Sequence, residues 1–176
     1  MPVIIRRAVP EDLDEAARIY QAIFDHQAGG PDYTNWLPGV YPTRAVAARA
    51  LELGTLYAAE VEGAVSAVAV LNHSQLPEYD RLAWQFPGQG EQVLVIHTLC
   101  VDPARAGQGV ATAFVRFAED LGRARGCTAL RLDTYEGNLP ARRLYTALGY
   151  RLAGATECLF LDGRRKMLVG FEKDLR

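Results

Sequence analysis

Apolar residues follow two different periodicities along this chain, and their alternation predicts a mixed α/β protein. Apolar residues three or four positions apart lie on one face of a helix, and this spacing occurs in four segments: 13–24, 46–51, 110–121 and 141–148. Short apolar runs typical of strands occur in PVIIRRA, in both halves of TLYAAEVEGAVSAVAVLNH, in EQVLVIHTLCV, in TALRLDT, and at roughly 151–160 and 165–172. The predicted order is therefore strand, two helices, three strands, helix, strand, helix and two strands. This order is typical of a single sheet flanked by helices.

Two predicted connections, roughly 26–42 and 73–91, are unusually long. Loops of this length inside a compact domain are often functional. Tyr33 and Trp36 lie in the first loop and Trp84 lies in the second. We expect these aromatic residues to contact the substrate, as part of a lid over an apolar or aromatic molecule. Packing of the rings beneath the loops explains them equally well.

Length, charge and cysteine content restrict the class of protein. The 176 residues fit one domain, 1–176, and a net charge of -2 argues against a nucleic-acid partner. No apolar run approaches the ~18 residues of a membrane span, and the acidic start of the chain is unlike a secretory signal. Three cysteines without a C-x-x-C pair argue against a disulfide framework or a metal site. We therefore expect a cytoplasmic protein with reduced thiols.

The stretch DPARAGQGVATAF, residues 102–114, contains two glycines at the start of a predicted helix. A strand ending at Val101 leads through small residues into a helix that begins near Gly109. Free backbone N–H groups at such a helix start form an anion site, and glycine lets a phosphate approach them closely. The alternative is a tight turn without a ligand. A Walker lysine is missing, so the loop is not a P-loop.

A second motif, NLPARRLYTALGY, begins at Asn138. Together with TLCVDPARAGQGVATAFVRFAED, it resembles the GNAT superfamily of acyl-CoA-dependent N-acyltransferases, whose element order also fits the whole chain. The resemblance implies a GNAT-like mixed, mostly antiparallel sheet of about six to seven strands flanked by four helices. It also implies acetyl-CoA as cosubstrate, without a metal.

The resemblance implies roles for the residues that match the two motifs. Six residues would surround the pyrophosphate of acetyl-CoA, mainly through backbone amides: Ala106, Gly107, Gln108, Gly109, Val110 and Ala111. Main-chain groups of Leu99 and Val101 would pair with the pantetheine arm, and Asn138 would bond near it. Ala106 departs from the family pattern, which has Arg or Gln there; Arg105 stands one position early.

Two residues are candidates for proton transfer. By the resemblance, Tyr145 would face the sulfur and protonate the CoA thiolate, since a tyrosine pKa near 10 suits a thiol pKa of about 8.5. Its place on an apolar helix face also fits a core tyrosine. His97, in the central strand, is a candidate base because histidine titrates near neutral pH; a satisfied core histidine is the alternative. Asp133, on the neighbouring strand, can orient His97 or serve as a structural partner.

These features predict an N-acetyltransferase that moves the acetyl group of acetyl-CoA directly to a primary amine of a small molecule or peptide. A central-strand N–H would stabilise the oxyanion. The alternative is a non-catalytic acyl-CoA-binding or interaction module with a degenerate pyrophosphate loop. The acceptor amine is left open, and a homodimer is plausible but has no sequence signal.

Overall fold

The computed structural model describes residues 2–176 and contains the predicted elements in the predicted order. The strands and α-helices are β1 Val3–Arg7, α1 Asp12–Ala28, α2 Arg44–Glu52, β2 Leu56–Val61, β3 Ala64–Asn72, β4 Val93–Val101, α3 Val110–Ala124, β5 Ala129–Tyr135, α4 Leu139–Ala147, β6 Arg151–Leu159 and β7 Arg165–Asp174. Short 3-10 turns occupy Pro77–Arg81, Gly90–Gln92 and Pro103–Arg105. Four helices and seven strands within the described range confirm the fold predicted from the sequence.

The strands form one seven-stranded sheet in the order β1-β2-β3-β4-β5-β7-β6. The pairs β1–β2, β2–β3, β5–β7 and β6–β7 are antiparallel, whereas β4 and β5 run parallel from Val93↔Ala129 to Ile96↔Leu132. The sheet is therefore mixed and mostly antiparallel, as predicted. β4 continues to Val101 beyond the end of this parallel register.

The residues group into two compact units. The first comprises 2–31, 36–71 and 97–117. Its core joins the apolar faces of α1 and α2 to β2 and β3, and its fully buried members include Ile19, Ala47 and Val68. Thr43 caps α2 by accepting a hydrogen bond from the N–H of Val46.

The second unit comprises 32–35, 72–96 and 118–176. In this unit the 73–92 connection is ordered and packs against β4 and β6. Tyr79 and Leu82 are buried against Val93, Val95 and Ala153. A long loop with little hydrophobic periodicity is thus built into the core by a few large side chains.

Thr98 interrupts β4 with a left-handed backbone conformation, at φ 52°. A non-glycine residue in this region is uncommon and marks a local irregularity in the strand. The apolar run EQVLVIHTLCV predicts the strand itself, but it contains no signal for this interruption. Its position lies directly after His97, a residue that the sequence nominates for catalysis.

Candidate active site

The glycine loop that precedes α3 is exposed and open. Gly107 and Gly109 have φ values of 75° and 79°, a region that side chains rarely adopt. Within the described part of the chain, no atom beyond their neighbours lies within 4 Å of where a Cβ would stand. Backbone conformation therefore explains the two glycines, and the space above them is free for a ligand.

The six residues predicted to surround the pyrophosphate include four whose backbone N–H groups have no acceptor within residues 2–176: Gly107, Gly109, Val110 and Ala111. The other two N–H groups are bonded: Gln108 donates to the carbonyl of Arg105 at 3.3 Å, and Ala106 donates to the carbonyl of Pro103 at 3.1 Å. The first helical turn of α3 begins when Ala113 N–H donates to Gly109 O at 2.9 Å. Open N–H groups at a helix start favour a bound anion because they add to the helix dipole.

The side chains of Asp102 and Arg105, directly before the glycine loop, are held by hydrogen bonds. Asp102 accepts hydrogen bonds from Ala104 N–H at 2.9 Å and from Arg18 Nη1 at 2.7 Å. Burial opposes ionisation of this carboxyl, but the Arg18 and Ala104 bonds outweigh burial and lower its pKa. Arg105 donates to Glu62 Oε2 at 3.3 Å. Arg105, which is next to Ala106 in the sequence, is thus bound to the hairpin turn between β2 and β3.

The end of β4 contains the other predicted residues of the first unit. His97, Leu99 and Val101 are each partly exposed. Between the first two, Thr98 Oγ1 hydrogen-bonds to the hydroxyl of Tyr41, a residue of the loop after α1. This contact connects the irregular part of the strand to the first aromatic loop.

Asn138 acts as the N-cap of α4. Its Oδ1 accepts a hydrogen bond from Ala141 N–H at 3.2 Å, and its Nδ2 donates to Thr134 Oγ1 at 3.0 Å. The side chain thereby couples the end of β5 to the start of α4. The sequence motif identified the residue, and the structure adds this capping role.

Tyr145 is 6% exposed and lies on the buried face of α4. Its ring is tilted against the rings of Tyr150 and Phe171, with centroids 5.8 and 5.7 Å away. This packing holds the position of the phenol rigidly. It agrees with a core role and equally with a positioned proton donor.

Asp133 has a partner that the sequence did not indicate. Its Oδ2 accepts a hydrogen bond from the Tyr79 hydroxyl at 2.6 Å. Burial raises the pKa of Asp133, although the Tyr79 bond lowers it in part. Tyr79, a loop residue without a motif, therefore binds a carboxyl group on β5 that is adjacent to Thr134, the partner of Asn138. Neither spacing nor charge pattern predicts this contact.

The three aromatic residues predicted to contact substrate have different surroundings. Trp36 packs edge-on against Tyr41, with centroids 5.7 Å apart, and also against the core of the first unit. Trp84 donates from Nε1 to Tyr79 O at 2.8 Å and lines a cavity of the second unit. Tyr33 is partly exposed.

Several classes of site find no support in the described residues. Within 2–176, no group of three or more His, Cys, Asp or Glu side chains is arranged to hold a metal ion. The same residues include no helix with the length and apolar character needed to cross a membrane. Cys100, Cys127 and Cys158 are buried and form no disulfide.

Solved structures with the same fold extend over nearly all of this chain. A GNAT-family acetyltransferase from Streptococcus agalactiae has a TM-score of 0.76 at 20% identity, covering 98% of this chain and 95% of that one. The yncA protein of Salmonella typhimurium, solved with its cofactor acetyl-CoA, has a TM-score of 0.72 at 17% identity, with coverage of 100% and 95%. The ribosomal-protein-S18-alanine N-acetyltransferase of Escherichia coli has a TM-score of 0.68 at 18% identity, with coverage of 99% and 94%. At these identities the likeness shows the fold.

A search of curated proteins finds no match. The family model of the GNAT acetyltransferases matches residues 14–150, a range that contains both the glycine loop and the Asn138–Tyr150 motif. With the fold and the open backbone donors already described, this match identifies the family: the chain belongs to the GNAT acetyltransferases.

Proposed function

We propose that this protein transfers the acetyl group of acetyl-CoA to a primary amine of a small molecule or peptide. The observation that carries the proposal is the row of open N–H groups at Gly107, Gly109, Val110 and Ala111. Two of these positions lack a Cβ and have free space above them. Such a row fits a pyrophosphate, whose oxygens need several donors at close range.

The chain contributes binding and proton transfer, while acetyl-CoA supplies the thioester-activated acetyl group. Leu99 and Val101 lie beyond Ile96, where the parallel register of β4 with β5 ends. Their main-chain groups would bind the pantetheine arm as an added strand, and an N–H there would polarise the thioester carbonyl. Asn138, which orders the start of α4, would position the neighbouring part of the arm.

Tyr145 and His97 would divide the two proton transfers. The Tyr145 hydroxyl, held by ring packing, would give its proton to the leaving sulfur. His97, partly exposed beside Thr98, would accept a proton from the amine. The aromatic residues Tyr33, Trp36 and Trp84 are proposed contacts for the acceptor.

Calorimetric titration tests the cosubstrate, using acetyl-CoA beside desulfo-CoA and ATP. We expect binding of both CoA compounds and little response to ATP. Gly107→Ala should weaken acetyl-CoA binding by about tenfold or more, because a methyl group would displace charged hydrogen bonds. Gly126→Ala is the matched control, since Gly126 has the same φ of 75° and equally open space. Equal affinity in both variants would contradict the proposed cradle.

Release of CoA in the presence of an amine panel tests the transfer step. Tyr145→Phe keeps the ring contacts and removes only the hydroxyl, so turnover should fall about a hundredfold with unchanged acetyl-CoA binding. His97→Gln should flatten the rise of kcat/KM with pH. Unchanged turnover in the first variant would exclude Tyr145 as the acid, and an unchanged pH profile in the second would exclude His97 as the base.

A second candidate is a non-catalytic acyl-CoA-binding module. Ala106 stands where the family pattern has Arg or Gln, and the Arg105 side chain is bound to Glu62 instead. Binding of acetyl-CoA without CoA release from any amine would favour this module. We also propose that residues 1–176 act as one domain and that the protein works in the cytoplasm, where buried, unpaired cysteines persist as thiols.

A further inference from the structure

A cavity of about 370 Å³ lies within the second unit, between the 73–92 connection and β5. Its volume falls in the range of ligand pockets, about 300–1,000 Å³. Its lining includes Gln75, Asp80, Trp84 and Arg131. Apart from Trp84, none of these residues has a role in the acetyl transfer proposed above.

Arg131 is buried without a carboxylate partner. It is 7% exposed, and no acidic oxygen of the described residues lies within ion-pair distance of it. Its Nη1 donates to Gln75 Oε1 at 2.6 Å and its Nη2 to Phe86 O at 3.0 Å, both neutral acceptors. Its Nε is buried and has no acceptor among the described atoms. Burial lowers the pKa of this guanidinium, and the attraction of the nearby Glu172 carboxylate offsets the effect in part.

The nearby buried carboxylates are already committed to other donors. Glu172 accepts from Arg151 and from two backbone N–H groups. Asp133 accepts from Tyr79. Glu172, which lies opposite Arg131 in the β5–β7 register, attracts the guanidinium without bonding to it directly. Arg131 therefore has no directly bonded anion among the described residues, and a carboxylate bound in the cavity would supply one.

The same cavity also contains an unpaired acidic residue and an apolar wall. Asp80 is exposed, and within residues 2–176 its carboxylate has no hydrogen bond or ion pair. Leu76, Pro77 and the Trp84 ring supply apolar surface. The Trp84 ring lies 4.6 Å from the Arg131 guanidinium and fixes it in place. The cavity therefore presents a cation, a separate carboxylate and an aromatic surface.

We propose that this cavity binds a free α-amino acid with an apolar or aromatic side chain. The ligand carboxylate bonds to the Arg131 guanidinium, the ammonium faces Asp80, and the side chain packs on Trp84. This inference stands independently of the acetyl-transfer proposal. The bound amino acid can have one of two roles: it is the acceptor of the acetyl group, or it is an effector that is not acetylated.

Binding is measured by calorimetry with three probes of nearly equal size. L-phenylalanine carries both charges, L-phenylalaninamide lacks the carboxylate, and 3-phenylpropionate lacks the ammonium. We expect L-phenylalanine to bind in the millimolar range or tighter. Each of the other two should bind about tenfold or more weakly, because each leaves one charged group of the cavity unpaired.

Two variants assign the charges separately. Arg131→Gln should remove the preference for L-phenylalanine over its amide. Asp80→Asn changes an exposed side chain without structural contacts, and it should remove the preference over 3-phenylpropionate. Arg81→Gln is the matched control: Arg81 is exposed, does not line the cavity and should leave all three affinities unchanged.

A lack of L-phenylalanine binding up to roughly 10 mM, or preferences that survive in both variants, would overturn the proposal. Incubation of the protein with L-phenylalanine and acetyl-CoA then distinguishes the two roles. Formation of N-acetylphenylalanine identifies an acceptor, and charge-dependent binding without product identifies an effector; each supports the site. If the protein fails to bind acetyl-CoA but retains charge-dependent phenylalanine binding, the acetyl-transfer proposal fails and this one stands.

Discussion

Glu172 provides the sharpest test of how the second unit is held together. Its side chain is fully buried on β7. The carboxylate accepts hydrogen bonds from Gln85 N–H at 2.7 Å, Phe86 N–H at 3.2 Å and Arg151 Nη1 at 2.8 Å. All three partners are donors. Glu172→Gln replaces one acceptor oxygen with an amide NH₂, so at least one donor must then face another donor.

The expected cost follows from burial and charge. Breaking a buried ion pair by changing one partner costs about 3–5 kcal/mol. The glutamine retains one acceptor, so we expect about 3 kcal/mol, a large part of a total stability of about 5–15 kcal/mol. For a chain of this size, that corresponds to a fall in Tm of roughly 10 °C.

Thermal and urea denaturation measure this loss, with Glu157→Gln as the matched control. Glu157 forms an ion pair with Arg165 at 2.6 Å, but both side chains are about half exposed or more. Such a surface pair contributes about 0–1 kcal/mol. If Glu172→Gln shifts the midpoint no more than Glu157→Gln does, the buried network does not stabilise the unit and the reasoning is wrong.

A second readout locates the damage. Glu172 holds the backbone directly after Trp84, so its loss should expose the indole to water. In a Trp36→Phe background, Trp84 is the single tryptophan, and its emission should shift to longer wavelength in Glu172→Gln under native conditions. If the emission is unchanged but the stability is lower, the loss of stability comes from another part of the unit and not from the surroundings of Trp84.

Three further predictions follow from individual contacts. Gly170→Ala would place a Cβ 3.0 Å from the Trp84 ring, and it should lower the free energy of unfolding by about 1–3 kcal/mol in urea denaturation. Burial raises the pKa of Asp162, but hydrogen bonds led by the one from Lys166 outweigh burial and hold that pKa at about 2. Because the folded pKa is depressed, the ionised carboxylate stabilises the fold above about pH 4, and this contribution is lost as the pH falls towards 2. Lys166→Met should therefore flatten the acid side of a plot of unfolding free energy against pH. Arg105→Ala should change acetyl-CoA affinity less than about threefold, because a backbone-built cradle does not depend on that side chain, whereas a tenfold loss in calorimetry would assign it a direct phosphate contact.

The apolar pattern predicted the element order because that order depends on local sequence, whereas the resemblance to the GNAT superfamily implied the mostly antiparallel sheet. Helical apolar spacing identified all four helices, and the two apolar halves of TLYAAEVEGAVSAVAVLNH identified β2 and β3. These features are set by residues within a few positions of one another, so a single sequence suffices to predict them.

The contacts around the candidate site could not be predicted from the sequence because they join residues that are far apart in the chain. The Tyr79–Asp133 bond spans 54 positions and the Tyr41–Thr98 bond spans 57. Neither bond is a charge pair, and no single motif contains both residues of either bond. The burial of Arg131 beside a cavity is equally hard to predict from TALRLDT, because an arginine on a strand is usually exposed.

The 73–92 connection shows why a loop without periodicity can still be ordered. Its backbone donors at Gln85 and Phe86 are satisfied by Glu172, and the Trp84 indole is satisfied by the Tyr79 carbonyl. Gly170 lets this layer lie directly on β7, because a side chain there would collide with it. Order therefore comes from satisfied polar groups and close approach rather than from a repeating apolar face. The cavity that we propose as an amino-acid site is built on this ordered loop, so its choice between ligands would depend on the charges of Arg131 and Asp80.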